Sequence, residues 1–386
     1  MSDDLTAREL VDLIRRVFSP TEKDRGVAVL VDMPDEQVPD TDLWRERRKM
    51  AAQWVSLLAP RAKEMGVEEV KLVLYRNPHA NNADLPSSGF FFEPAPDGLP
   101  ARAEEIPGGA IAFDEIFQRF QILVAPTRFS ATAPLKMAAR EYNFRAATMP
   151  GFSPAMIPAL RLNYDVIGDR VNRLKSMLDD AERCDFVFDA EGAKHELVLD
   201  LRFRSGHASG GVFPDNGVAG NLPSGESYIV PYEGEVEGVS SMSAGEIPVQ
   251  FGDDVVVYGV INNVAVEVIS DNPASVVEAV HLKEEPAYGN MAELGLGVLG
   301  DFGLEPTGEI LLDEKLGIHI AFGRSEHFGG QVGPDSFSAP EKVIHVDRVY
   351  IPQIQPKVTV ASAVLTMKNG VPVPLMENGR YVVKMD

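Results

Sequence analysis

The spacing of apolar residues predicts alternating helices and strands in the first part of the chain. One hydrophobic stripe at helical spacing runs through residues 6–18, and a second, over residues 44–65, ends before Gly66. Short apolar runs that suit buried strands occupy residues 27–31 and 70–75. This alternation is typical of an α/β layer, so we predict an N-terminal α/β domain over residues 1–165, in which residues 78–107 form a long loop.

The pattern changes in the second part of the chain. A charged amphipathic helical pattern covers residues 165–183, and we interpret it as the link between two domains. Beyond it, short β-rich runs alternate with Gly, Asn, Asp and Pro, for example at residues 197–203, 255–261 and 264–269. Such runs are typical of antiparallel strands with tight turns. We therefore predict a β-rich α+β domain over residues 166–386.

Composition narrows the classes of function. The net charge is −22, which repels phosphate backbones and argues against a nucleic-acid partner. Cys184 is the single cysteine, so neither a disulfide framework nor a cysteine-rich metal site is possible within the chain. No basic-then-apolar leader and no run of about 20 apolar residues is visible, so we expect a cytoplasmic protein with no membrane partner.

The most informative short pattern is His345-Val346-Asp347. Alternate residues of a strand point to the same face, so His345 and Asp347 would lie side by side if this segment is extended. An imidazole and a carboxylate in that position can share a divalent ion. The alternative, a surface strand with its polar side in water, stays open on spacing alone.

Two further histidines lie upstream. His319 stands in an apolar, glycine-bounded run, where a histidine is either a satisfied core residue or a ligand. His327 follows in a turn-like segment and could be a ligand, a proton shuttle or a loop residue. His79, His195 and His207 show no spacing that indicates a site.

Two carboxylates complete the candidate set. Glu226 ends the run Asn-Leu-Pro-Ser-Gly-Glu, a predicted rigid turn that would present the acid at a fixed angle. Glu293 lies in an apolar, glycine-rich stretch, where a carboxylate is costly to bury unless it is protonated, paired or bound to metal. Glu309, Asp313 and Glu314 are close in sequence, but their setting is typical of a solvated turn.

Taken in order, these segments resemble the M29 family of metallo-aminopeptidases, the aminopeptidase T and S group. The resemblance rests on four runs: Asn-Leu-Pro-Ser-Gly-Glu at 221–226, Asn-Met-Ala-Glu-Leu-Gly at 290–295, Gly-Ile-His-Ile-Ala-Phe-Gly at 317–323, and His-Val-Asp at 345–347. It covers residues 120–350 well and the first hundred weakly. Four segments in the right order are far more specific than any one of them.

The resemblance implies a homodimeric aminopeptidase with two divalent ions, zinc, cobalt or manganese, acting on peptides or other small substrates. It implies that five residues bind metal: Glu226, Glu293, His319, His345 and Asp347. One carboxylate would bridge the ions, and the candidate catalytic groups are Glu226, Glu293 and His327. Two such ions can share a hydroxide and stabilise the oxyanion of a cleaved amide.

One departure from the family pattern keeps other functions open. The family has a tyrosine ligand shortly after the third histidine segment, whereas here Glu326 and His327 stand at the nearest positions. Either replaces the tyrosine, or the second ion is lost. The second case favours a ring-cleaving dioxygenase related to 2,5-dihydroxypyridine dioxygenase, with one Fe(II) held by His319, His345 and Asp347. A third hypothesis is a non-catalytic binding protein, which would carry no stoichiometric metal.

Overall fold

The computed structural model describes residues 4–94 and 98–385, and the chain packs as two compact units. The first unit runs to Tyr164 and also contains Ser209–Ser224 and Thr307–Leu312. The second unit comprises the remaining segments, Asp165–Ala208, Gly225–Pro306 and the chain from Asp313 onward. Two segments that follow the predicted boundary at residue 165 therefore pack with the first unit.

The α-helices are mostly short. In chain order they are α1 Ala7–Phe18, α2 Asp42–Leu58, α3 Phe113–Arg119, α4 Thr132–Tyr142, α5 Ile157–Leu160, α6 Tyr164–Asp179, α7 Pro273–Glu284 and α8 Ile310–Asp313. Across residues 4–94 and 98–385, no helix is both long enough and apolar enough to cross a bilayer.

The strands form three sheets. In chain order the strands are β1 Gly26–Met33, β2 Glu69–Arg76, β3 Ser88–Phe92, β4 Ile111–Ala112, β5 Ile122–Ala125, β6 Arg145–Thr148, β7 Ala181–Ala190, β8 Ala193–Asp200, β9 His207–Ser209, β10 Val218–Asn221, β11 Glu226–Ile229, β12 Ala244–Phe251, β13 Asp254–Ile261, β14 Val264–Val268, β15 Met291–Gly297, β16 Ile318–Gly323, β17 His345–Val349, β18 Val358–Met367, β19 Pro372–Glu377 and β20 Arg380–Tyr381. A mixed α/β chain with large sheets is thus confirmed.

The first unit is built on a seven-stranded sheet in the order β10-β6-β5-β1-β2-β3-β4. Its five strands from β10 to β2 pair in parallel, and every residue of β1 is buried. Such complete burial is expected for a central parallel strand covered on both faces. Helix α1 begins at a capping box, in which the Thr6 hydroxyl accepts from the Glu9 amide and the Glu9 carboxylate accepts from the Thr6 amide.

Most predicted elements of this unit are present, with one correction. The helical pattern over residues 44–65 is α2 followed by a 3₁₀ turn, and it ends at Gly66 in a left-handed conformation, φ 78°. The predicted loop over residues 78–107 is wrong in part, because strand β3 lies inside it and pairs antiparallel with β2. The aromatic run at residues 90–92 pairs with strand β2, residues 69–76. The high Pro and Gly content around this run hid the strand from the sequence pattern. Residues 95–97 of the predicted loop lie outside the described residues.

The second unit contains an eight-stranded sheet, β14-β13-β12-β8-β7-β18-β19-β20, and a five-stranded sheet, β17-β16-β15-β11-β9. Adjacent strands from β17 to β11 pair antiparallel. The predicted runs at 255–261 and 264–269 correspond to β13 and β14, whereas the run at 197–203 stops as a strand at Asp200. The five-stranded sheet carries the candidate chemistry.

Candidate metal centre

Five predicted ligands come together on four adjacent strands of the five-stranded sheet. Glu226 is on β11, Glu293 on β15, His319 on β16, and His345 and Asp347 on β17. Glu226 was predicted to lie in a turn; it is instead the buried first residue of a strand, because its backbone pairs with Gly297 of β15. The sheet therefore brings together residues that are far apart in the sequence.

Small residues opposite the ligands leave room for their side chains. Glu226 pairs with Gly297, His319 with Gly295, and His345 with Gly323 across neighbouring strands, while Ala321 stands opposite both Glu293 and Asp347. A Cβ atom added at Gly295 would collide with the His319 ring. The glycine-rich sequence of β15 is thus explained by the close approach of an imidazole to the backbone.

The ligand atoms lie at separations that suit a shared cation. His319 Nε2 is 3.4 Å from Glu293 Oε1, His345 Nε2 is 3.4 Å from Glu293 Oε2, and His345 Nε2 is 3.3 Å from Asp347 Oδ1. Ligand bonds of about 2.0–2.1 Å in tetrahedral directions place neighbouring ligand atoms about 3.3 Å apart. Each of the three distances is therefore that expected between two ligands of the same ion rather than that of a short hydrogen bond.

The ligand atoms fall into two groups that share one carboxylate. In the first ligand group, Glu226, Glu293 and His319 each bring one atom within 4.8 Å of the others. In the second ligand group, Glu293, His345 and Asp347 do the same. Because Glu293 has two oxygens and presents one to each histidine, this side chain can bridge two cations.

The His345 ring is oriented by the backbone. Its Nδ1 lies 2.7 Å from the carbonyl oxygen of Arg324, which can accept but not donate, so Nδ1 carries a proton. This leaves Nε2, the atom that faces Glu293 and Asp347, as the free ligand nitrogen of the neutral ring. A metal-binding histidine usually donates its other N–H to such a carbonyl, which fixes the ring orientation.

Two buried atoms of the cluster lack hydrogen-bond partners. Within the described part of the chain, Glu226 Oε2 and His319 Nε2 are buried and form no hydrogen bond. Leaving a buried carboxylate oxygen and a buried ring nitrogen unsatisfied is costly, and a cation between them would satisfy both. The residues present therefore fit a bound metal ion.

Electrostatics of the metal-free cluster point the same way. Burial alone would lower the pKa of His319, but the adjacent Glu293 and Asp347 carboxylates outweigh it and raise that pKa to about 9. His345 behaves alike, its pKa being raised well above its ordinary value against the effect of burial. Burial would raise the pKa of Glu293, yet the two histidines hold it at about 2. The carboxylates thus stabilise positive charge beside them. When no metal is bound, the protonated histidines provide that charge.

Metal affinity should accordingly rise with pH. Each ion must displace the proton held by the histidine of its own ligand group, His319 or His345. We therefore expect binding to tighten from pH 6 towards about 9, where the His319 pKa lies. Affinity for Zn²⁺, measured by competition with a chromophoric chelator, should increase by up to about tenfold per pH unit for each proton displaced. An affinity that does not change over this range would contradict the assignment.

The stability of the metal-free protein should follow the opposite trend. Because the folded pKa of His319, about 9, lies above the ordinary value of 6.5, protonation stabilises the fold fully below pH 6.5. That contribution is lost as pH rises through the folded pKa. Thermal melts of chelator-treated protein therefore measure this loss of stability with pH, and melts of metal-loaded protein measure the contribution of metal binding.

Lys315 is a member of the site that the sequence reasoning missed. Its buried Nζ donates to Glu226 Oε1 at 2.5 Å and also to the Glu314 carboxylate. Burial would lower the pKa of this ammonium, but the two carboxylates outweigh it and hold the pKa above its usual value. A buried lysine at the end of Asp-Glu-Lys has no sequence signal beyond the apolar residues that follow it.

The prediction that Glu314 belongs to a solvated turn is wrong. Glu314 is mostly buried in the 3₁₀ turn Glu314–Leu316 that precedes β16, with 14% of its side chain exposed. Burial, opposed by Lys315 and reinforced by the charges of Asp347 and Glu226, raises its pKa to about 8. Asp313 is buried as well. The Lys315 and Glu314 side chains lie at the cluster because the turn packs directly on β15, where Gly297 admits the Lys315 backbone.

Glu326 and His327, the positions nearest to the expected tyrosine, lie beside the cluster but outside both ligand groups. Arg324 holds Glu326 with two hydrogen bonds of 2.6 Å. The His327 ring lies edge-on to His345, with centroids 5.2 Å apart. Burial and the charge of His345 lower the pKa of His327 to about 4, so this ring is neutral at neutral pH.

Replacing His327 with alanine should leave the metal content unchanged and reduce turnover by less than about tenfold, because a neutral, non-ligating ring supplies packing rather than charge. Elemental analysis and steady-state kinetics on the same preparation test this. Loss of one ion per chain would instead show that His327 takes the place of the tyrosine ligand.

Tyr228 is a second residue that the sequence reasoning missed. It lies two positions after Glu226 on β11, and its ring packs against Phe328 at 4.8 Å and against His207 at 5.0 Å. Burial and the charges of Glu293 and Glu226 raise its pKa, so the phenol stays protonated. Alternation on the strand is the signal that could have indicated it.

Two other histidines and one cavity involve none of the five ligands. His195 pairs with Glu246 at 2.7 Å, and His79 pairs with Asp35 at 2.6 Å inside the first unit. A cavity of about 1090 Å³ is also lined by first-unit residues, among them Asp35 and Arg48. It contains none of the five ligands, so its size is no evidence on their chemistry.

Two solved structures share this architecture over nearly the whole chain. The structure of 2,5-dihydroxypyridine dioxygenase from Pseudomonas putida KT2440 aligns with a TM-score of 0.61 at 11% identity, covering 98% of this chain and 99% of that one. Wild-type AmpT from Thermus thermophilus aligns with a TM-score of 0.54 at 17% identity, covering 97% of this chain and 99% of that one. No protein-family model and no curated protein matches the sequence. At these identities the likeness shows a common fold. The buried carboxylate–histidine cluster that could hold metal is an observation on this chain alone.

Proposed function

We propose that the protein is a metal-dependent hydrolase, an aminopeptidase that removes N-terminal residues from peptides. The observation that carries the proposal is the placement of Glu293, whose two oxygens each lie 3.4 Å from a different histidine. A carboxylate placed between two ligand groups can serve two ions about 3.5–4 Å apart, the spacing of two-ion hydrolytic centres. The shared fold with the aminopeptidase AmpT supports this reading.

The five residues of the cluster would be divided between two ion positions. Glu226, Glu293 and His319 would hold one ion, and Glu293, His345 and Asp347 the other. When bound, such ions polarise a carbonyl and lower the pKa of water to near neutrality. His345 is kept in one tautomer by the Arg324 carbonyl. The protein's net charge of −22 favours the approach of the free ammonium group of a peptide N-terminus.

The proposal is tested on protein purified without chelators or added metal. Two zinc, cobalt or manganese ions per chain, with release of aniline from aminoacyl anilides, support the hydrolase. Acetylating the amino group of the same substrate should abolish cleavage, because the ammonium is then lost. One iron per chain and no cleavage of either substrate would overturn the proposal.

A second candidate is a ring-cleaving dioxygenase with one Fe(II) bound by His319, His345 and Asp347. Aromatic rings beside the cluster favour it: Phe328 lies 5.4 Å from the His345 ring and 4.8 Å from Tyr228, so a planar substrate would meet planar surfaces. The fold shared with 2,5-dihydroxypyridine dioxygenase supports it too. Oxygen uptake with dihydroxylated aromatic compounds, dependent on Fe(II), distinguishes this candidate from the hydrolase.

A further inference from the structure

A built-in cation stands at one end of the cluster. Lys315 Nζ lies 2.5 Å from Glu226 Oε1, while the other oxygen, Oε2, lies 3.7 Å from His319 Nε2. The two oxygens of one ligand carboxylate are thus divided between an ammonium group and the position where the first ligand group would bind metal. In the second ligand group, Asp347 Oδ1 lies 4.0 Å from His319 Nε2 and 3.3 Å from His345 Nε2.

Lys315 is held in this position by the backbone. A Cβ atom at Gly297 would collide with the Lys315 carbonyl group, and one at Gly300 with the Leu316 carbonyl oxygen, so the turn that carries Lys315 packs directly on its neighbours. The Lys315 side chain is 2% exposed and cannot turn away into water. A fixed, buried ammonium beside a ligand exerts its charge with little screening.

We infer that Lys315 is a positioning residue that makes the two ligand groups unequal: the second ligand group fills first, and the first ligand group binds its ion more weakly. Two physical effects act in this direction. Lys315 restricts Glu226 to one free oxygen, and its positive charge opposes the entry of a divalent cation next to it. The inference rests on the proposed two-ion site and concerns its order of filling.

The test is a Co²⁺ titration of chelator-stripped full-length protein, followed by visible absorption, with elemental analysis after dialysis. Wild-type protein should bind two ions, the second at least about tenfold more weakly than the first. Lys315→Met, which removes the charge and keeps the apolar stem, should tighten the weaker ion at least about tenfold and change the tighter one by less. Lys283→Met, an exposed position on α7, is the matched control and should change neither affinity.

Glu226→Gln assigns the ions independently, whether or not Lys315→Met folds. It should remove the weaker ion and spare the tighter one, and loss of the tighter ion would overturn the inference. Failure of the inference and failure of the two-ion hydrolase give different results. Two ions of equal affinity, unchanged by Lys315→Met, refute the role of Lys315 and leave the hydrolase standing. One ion in wild type but two in Lys315→Met supports the role of Lys315 and refutes the two-ion hydrolase.

Discussion

Replacing Glu293 with glutamine should strip both ions from the protein and abolish turnover. Glu293 is the carboxylate common to both ligand groups, so a single substitution removes a charged ligand atom from each. Loss of an outer-shell partner costs about 10–100-fold in metal affinity, and loss of a shared ligand should cost more at each position. Elemental analysis after gel filtration, together with a Co²⁺ titration, measures the effect.

The matched control for this substitution is Glu246→Gln. Glu246 also pairs with a histidine on a strand of the second unit, His195, at 2.7 Å, but it belongs to neither ligand group. It should retain full metal content and turnover. If Glu293→Gln kept two ions per chain, Glu293 would not be the bridge and the two-group arrangement would be wrong.

Replacing His345 with alanine should remove the ion of the second ligand group and lower turnover by at least about 1000-fold, while folding is retained. The expected loss is large because an ion and the nucleophile it generates disappear together. The change also leaves the Arg324 carbonyl without its donor, which costs about 1–3 kcal/mol of stability where that group is buried. Metal analysis, kinetics and a thermal melt on one preparation measure all three quantities.

His195→Ala is the corresponding control, since it removes a histidine that pairs with a carboxylate outside the cluster. It should keep both ions and full turnover. Full metal content and full turnover in His345→Ala would show that the site lies elsewhere. Added imidazole provides a further check, because it can enter the space left by the missing ring and restore part of the activity.

Local patterns were enough to predict part of the site. His345 and Asp347 stand side by side, as the two-residue period of a strand requires. His319 lies fully buried in an apolar strand, as its apolar, glycine-bounded sequence indicates. The placement of these side chains could be predicted because it depends on residues within one element, whose geometry the backbone fixes.

Other parts of the site depend on contacts between distant segments and could not be predicted. Lys315 meets Glu226 across 89 residues of sequence, and nothing near either residue indicates the partner. The local sequence around Glu314 is typical of a solvated turn, but packing of this turn on strand β15 buries the residue. For the same reason the sequence did not show that residues 209–224 and 307–312 pack with the first unit. Which charges become buried is decided by the pairing of strands.

Strand β17 lies at an edge of the five-stranded sheet and has β16 as its one neighbour there. Edge strands are the first to fray, since half of their backbone groups face no other strand. Here the edge strand carries both His345 and Asp347. An ion bound by these two residues and by Glu293 of β15 would therefore cross-link the edge strand to an inner strand of the sheet. Loss of the ion would then increase the rate of amide hydrogen exchange along residues 345–349. Exchange at this edge strand therefore reports whether the protein has metal bound.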